Sequence, residues 1–186
     1  MTAPTLETER LLLRHWKKSD LPLFAALNAD PRVMEHFPKV LSKQESDELA
    51  GKFEEELQEE KYGLWALEIK ASSRFIGFAG LHAPDFSTHF TPCIEIGWRL
   101  AYDAWGQGYA IEAASKVLEY AFSVLGLEEV VSFTAAVNFR SIKLMRKLGM
   151  FHDKEDDFFH PKLPKGHPLG PHVLYRMRKE QYFKVK

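Results

Sequence analysis

The segment Trp105-Gly106-Gln107-Gly108-Tyr109-Ala110 sets two glycines at the point where an extended segment hands over to a helix. Glycine permits a tight turn and lets the backbone approach a ligand closely. The first amides of a helix have no partner within it and carry the positive end of its dipole, so such a turn suits an anion, above all a phosphate. The phosphate templates of other folds do not fit. No G-x-x-x-x-G-K-[ST] occurs, and Ile111-Glu112 after Ala110 breaks the G-x-G-x-x-G pattern, which disfavours a nucleoside triphosphatase or a Rossmann dehydrogenase. A glycine turn that merely starts a helix remains the alternative at this point.

Periodicity supplies the elements around this turn. Cys93 to Leu100 alternates with period two, as a strand does, while Ala110, Ala114, Val117, Ala121 and Leu125 recur at helical spacing up to a capping Gly126. Upstream, Leu11 to Trp16 reads as a first strand, and Ser19 or Asp20 caps a short helix carrying Leu21, Phe24 and Leu27. Ser42 with Glu45 forms a capping box for a helix to about Lys61, whose apolar stripe is Leu49, Phe53 and Leu57. Leu64 to Ile69 and Phe75 to Leu81 read as a hairpin across Lys70-Ala71-Ser72-Ser73, with Gly77 and Gly80 marking a bulge or a close backbone contact. Val130 to Val137 is a buried strand, Asn138 caps a helix closed by Gly149, and Val173 to Met177 resumes a strand after a Pro- and His-rich loop, 158–172. This order gives a mixed α/β sheet in a single domain over 1–186.

Bulk properties narrow the function. At 186 residues, 45% hydrophobic and 27% charged, the chain has the make-up of an ordinary globular protein. A net charge of −1 advertises neither nucleic acid nor an anionic membrane as partner. One cysteine, Cys93, excludes an internal disulfide and, lying in a strand pattern, reads as a small core residue. Without a signal-like N-terminus or a membrane-length apolar run, the expected compartment is the cytoplasm.

Four segments taken in order carry a resemblance: Thr8-Glu9-Arg10-Leu11-Leu12-Leu13-Arg14, Ile94-Glu95-Ile96-Gly97-Trp98, Trp105 to Ala113, and Asn138-Phe139-Arg140-Ser141 continuing to Gly149-Met150. Together they resemble the GNAT superfamily of acyl-coenzyme A N-acyltransferases, and within it the RimJ/RimL-type branch that includes ribosomal-protein N-terminal acetyltransferases. The resemblance implies a mixed, largely antiparallel sheet of six to seven strands flanked by about four helices. It implies acetyl-coenzyme A as co-substrate, its pyrophosphate held by amides from Gly106 through Gln107, Gly108 and Tyr109 to Ala110. Trp105 opens this loop where the family has Gln or Arg, a small loss if backbone donors do the gripping. The strand edge from Trp98 to Leu100 is implied to hydrogen-bond the pantetheine arm as an added strand would. Homodimers are frequent in that family.

Acyl transfer from a thioester to an amine needs a base, oxyanion stabilisation and a protonated or stabilised sulfur leaving group, and no covalent enzyme intermediate if both substrates bind together. Many members of the family donate the proton from a Tyr, but the matching residue here is Met145. Ser141 resembles the branch's alternative sulfur partner, against an ordinary polar residue in a first helical turn. Asn138 caps its helix and, by resemblance, also contacts the pantetheine. Glu95, within an apolar strand, is the first choice of base and His82 the second, each against an ordinary structural or surface role. His152, His160, His167 and His172 lack zinc-type spacing, so no metal is expected. The acidic face of the 42–61 helix reads as a solvated surface. The expected activity is acetyl transfer to a protein N-terminus or a small amine. A non-catalytic acyl-coenzyme A sensor, or a nucleotide-binding protein using the same loop, remains open at this stage.

Overall fold

The computed structural model describes residues 2–185. The chain forms two compact units, one running to His82 and taking in Gly97–Val117, the other comprising Ala83–Ile96 and the chain from Leu118 onward.

The first unit contains β1 (Leu6–Glu7), β2 (Leu11–Arg14), α1 (Leu21–Ala29), α2 (Lys43–Glu59), β3 (Leu64–Ile69) and β4 (Arg74–His82). It also holds the later part of β5 (Glu95–Leu100) and the start of α3 (Tyr109–Ser123). Strands β1 to β4 are consecutive and antiparallel, in registers such as Leu11↔Ile69 and Leu64↔Gly80, and β5 adjoins β4. Gly77, at φ +136°, sits at the register shift opposite Leu67 and Glu68, so the expected bulge is there. A Cβ on Gly80 would lie 2.0 Å from the Gly63 carbonyl oxygen, which makes it the expected close backbone contact.

Phe24 of α1 and Phe53 of α2 cover this sheet, meeting Phe75 and Phe78 of β4, all gathered around Trp16 at ring separations of 4.8–6.5 Å. Helix α2 begins as anticipated: Ser42 accepts from the Glu45 amide, and the Glu45 carboxylate accepts from the Ser42 amide at 2.8 Å. The cap expected for α1 is corrected. Asp20 occupies the N-cap position but makes no capping bond, because its carboxylate accepts from both terminal nitrogens of buried Arg14 (2.7 and 2.9 Å) and from the Lys17 amide. Arg14 Nε also donates to Glu68 at 2.7 Å, so one guanidinium holds two buried carboxylates. Removing it would leave buried Asp20 without a cation and Glu68 with Lys17 alone, at a cost of about 3–5 kcal/mol.

In the second unit, β6 (Glu129–Ala135) pairs antiparallel with β9 (Pro171–Arg178) from Glu129↔Arg178 to Ala135↔His172. The short strands β7 (Phe151–His152) and β8 (Phe158–Phe159) also pair with β9. Helices α4 (Phe139–Lys147) and α5 (Lys179–Val185) complete this unit with the end of α3. Gly126 (φ +70°) terminates α3 and Gly149 (φ +81°) terminates α4, as their spacing foretold. Strand β5 meets β6 in parallel at the single pair Glu95↔Val131.

The class is the expected one, mixed α/β with a largely antiparallel open sheet. The count is higher, with nine strands and five helices among the described residues. The additions include β1, β7 and β8, each two residues long and too short to show a period, and the terminal helix α5.

Candidate functional site

The glycine turn ahead of α3 has the backbone its sequence implied. Gly106 and Gly108 lie at φ +75° and +84°, a region that L side chains rarely enter. The first helical bond of α3 runs from the Glu112 amide to the Gly108 carbonyl at 3.1 Å. Among the described residues, the amides of Gly106, Gln107, Gly108, Tyr109 and Ala110 donate to no carbonyl. Five donors at the positive end of a 15-residue helix are therefore left for an outside acceptor. Trp105, whose indole donates to the Leu100 carbonyl at 2.9 Å, ties the turn to the end of β5 and packs against the aromatic core. The Gln107 side chain donates to the Asp103 carbonyl at 2.8 Å, so its polar end serves the turn's own structure.

A support for this turn was not legible in the sequence. Glu112, in the first turn of α3, accepts from the Arg10 amide (2.9 Å), from Arg10 Nε (2.6 Å) and from the Thr8 hydroxyl (2.5 Å). Burial pushes the Glu112 carboxyl up, but these bonds and the Arg10 charge outweigh it and hold the group below its ordinary range. Arg10 also donates to the Gln107 carbonyl at 3.0 Å and lies over the Tyr109 ring. A cation is thereby fixed beside the glycines, and Glu9, Arg10, Ile69, Lys70, Ala71 and Tyr109 line an adjoining pocket of about 410 Å³. The residues are about a hundred positions apart in the chain, and only the matching Thr8-Glu9-Arg10 segment hinted at the link.

The remaining first-unit positions are simpler. Trp98 is half-buried and Leu100 buried on β5, and His82 ends β4 half-buried. Glu56, whose carboxyl is raised by burial, is drawn the other way by the charge of His82.

In the second unit Asn138 and Ser141 come together. The Asn138 side-chain oxygen accepts from the Ser141 amide at 3.2 Å, which is the expected cap of α4. Its nitrogen donates to the Ser141 hydroxyl oxygen at 3.1 Å and to the Thr134 hydroxyl at 2.9 Å. The Ser141 oxygen is thus an acceptor, and its own hydrogen has no acceptor among the described residues. Met145, the position matched to the Tyr donor by the resemblance, is fully buried and has no proton to give. Glu95 is buried at the register of Val131.

Cys93 lies just before β5, which begins at Glu95, so the strand placement is corrected by two residues. It packs against Phe90, Val131 and Leu174, and burial first, then the charge of Glu95, pushes its thiol up to about 11. A thiol so placed is a poor nucleophile. His160 and His172 belong to an aromatic cluster with Phe86, Phe133 and Phe158, and burial lowers both imidazoles. His152 stacks on Tyr175 and bonds Asp157.

Residues 10–151 match the acetyltransferase (GNAT) domain. The uncharacterized N-acetyltransferase YoaA of Bacillus subtilis (strain 168) is 32% identical over 150 residues, 78% of this chain and 82% of that protein. The crystal structure of an acetyltransferase from Agrobacterium tumefaciens str. C58 superposes with a TM-score of 0.76 at 27% identity, covering 96% of each chain. Spermidine N-acetyltransferase from Vibrio cholerae, solved with CoA and spermine, shares the fold with a TM-score of 0.73 at 19% identity, over 95% of this chain and 99% of that one. A family that uses acetyl-coenzyme A fits a chain that keeps five amides free at a glycine turn. With its glycine turn and with that match over most of its length, the chain belongs to the GNAT family of acetyltransferases.

Proposed function

We propose that the protein transfers an acetyl group from acetyl-coenzyme A to a primary amine by direct attack while both substrates are bound. The observation that carries this reading is the open start of α3, where unpartnered amides and left-handed glycines form a cradle braced by Arg10, itself paired with Glu112. A diphosphate would accept from those amides. In this reading the backbone of Trp98 to Leu100 takes the pantetheine arm as an added strand.

Ser141 supplies the leaving-group contact in this reading. Because Asn138 donates to its oxygen, the hydroxyl hydrogen is directed elsewhere, and a thiolate sulfur is a suitable acceptor. Glu95, buried on β5, is the first choice of base and His82 the second. The acceptor is a protein N-terminus or a small amine, the RimJ/RimL-type branch is the proposed affiliation, and a single 1–186 domain in the cytoplasm is the proposed setting. Incubating the protein with acetyl-coenzyme A and a panel of amines and peptides, with thiol release and acetyl adducts read together, tests the proposal. Amine-dependent thiol release is expected. Cofactor binding without thiol release from any amine would overturn it.

A further inference from the structure

Arg99, on β5 in the first unit, is a cation without a counter-ion among the described residues. Its Nη1 donates to the Asn28 side-chain oxygen at 2.7 Å, its only hydrogen bond among the described residues, and it makes no ion pair there. Its Nε is shut off from solvent and bonds nothing. The guanidinium lies over the Phe37 ring at 4.0 Å and is 5.4 Å from the Phe78 ring, and burial alone pulls it down to about 10, leaving it charged at neutral pH. The contrast with Arg14 is direct, since that buried guanidinium holds two carboxylates.

The arrangement is also fixed in advance. Asn28 is fully buried and its nitrogen donates to Ser46 at 2.9 Å, so its oxygen must face Arg99. The Asn28 backbone carbonyl accepts from the Leu41 amide, which binds the far end of the loop carrying Phe37 to the end of α1. A planar fork held by one amide and two aromatic faces, with donors to spare, matches a carboxylate in geometry and charge. Arg99 as a whole is half-buried, so a ligand can reach it, while its shielded Nε lacks a partner at a cost, and a charged group so held is a functional-site candidate.

We infer that Arg99 binds a carboxylate carried by one of the two substrates, so that Arg99 is a specificity residue and Asn28 its positioning residue. This rests on the acyl-transfer part of the proposed function, and a carboxylate on the acyl group would put a dicarboxylic acyl-coenzyme A in the place of acetyl-coenzyme A. The carboxylate belongs either to the amine acceptor, as in an amino acid, or to the acyl group of the donor.

Heteronuclear NMR of the arginine Nε–H groups tests it on the unmodified chain, with Arg99 assigned by the signal lost in Arg99→Lys. Amino acids, their carboxamides and succinate are titrated. The Arg99 resonance should move with the carboxylates and stay with the carboxamides. In turnover, an acceptor carboxylate predicts kcat/KM at least about tenfold higher for the acid than for its amide, and Arg99→Gln should abolish that ratio. A donor carboxylate predicts instead that succinyl-coenzyme A outperforms acetyl-coenzyme A with a neutral amine. An Arg99 signal indifferent to every carboxylate, with neither preference present, overturns the inference while acetylation of neutral amines leaves the acetyl-transfer reading standing. A responsive signal without thiol release from any amine would do the reverse.

Discussion

Two helices of the first unit start in opposite ways. Helix α2 is closed by its own sequence, with Ser42 and Glu45 consuming each other's amides and Lys39 pairing with Glu45 from outside. Helix α3 is left open. The acidic residue in its first turn, Glu112, turns away from the helix start and grips Thr8 and Arg10 instead. The same residue type in the first turn therefore serves the helix in one case and its surroundings in the other. A helix start spent on its own cap is structural, whereas one kept free by long-range supports is built for a ligand.

That contrast can be broken most severely at the glycines. Gly108→Glu adds a side chain at φ +84°, where a Cβ would lie 3.3 Å from an Arg10 nitrogen, and sets a negative charge in the cradle. Calorimetry should show coenzyme A affinity reduced at least about tenfold, with circular dichroism unchanged. Unchanged affinity would remove the turn from the cofactor site. Ser141→Ala should lower kcat about fivefold while cofactor affinity holds, because the Asn138 cap on the Ser141 amide survives the change. A normal kcat would take Ser141 out of the reaction.

Gentler changes sharpen the comparison. Glu112→Gln weakens the grip on Arg10 and should raise the coenzyme A dissociation constant about threefold. The pH dependence follows in sign. The Glu112 carboxyl is held below its ordinary 4.5, so its contribution is complete above that value and is lost as the pH falls through the lower, folded value. Affinity attributable to this link should be flat from neutrality to about pH 5 and decline only in stronger acid. Glu45 in the closed helix is held down to about 2, by Lys39 first and then by Ser42. Ser42→Ala is the smallest expected change, a stability loss of about 1 kcal/mol in chemical denaturation. Coenzyme A affinity should not move, and a shift there would erase the distinction between the two helix starts.

Local chemistry was legible and long-range pairing was not. The Ser42 box, the 64–81 hairpin with its Gly77 bulge, the terminating Gly126 and Gly149, and the glycine turn all lie within a few residues of the groups that cause them. Asp20 read as a cap because its neighbours in sequence are helical, and nothing nearby announced that Arg14 would claim it. Arg10 with Glu112, and Arg99 with Asn28, are joined only when strands and helices distant in sequence pack together. Strands β7 and β8 exist because β9 offers an edge, a property of the partner and not of their own two residues.

The most direct test is a crystal structure grown with coenzyme A. The diphosphate should accept hydrogen bonds of about 2.9 Å from amides between Gly106 and Ala110, with Arg10 still joined to Glu112. A diphosphate bound elsewhere, or those amides bonded to the chain itself while coenzyme A is present, would contradict the account.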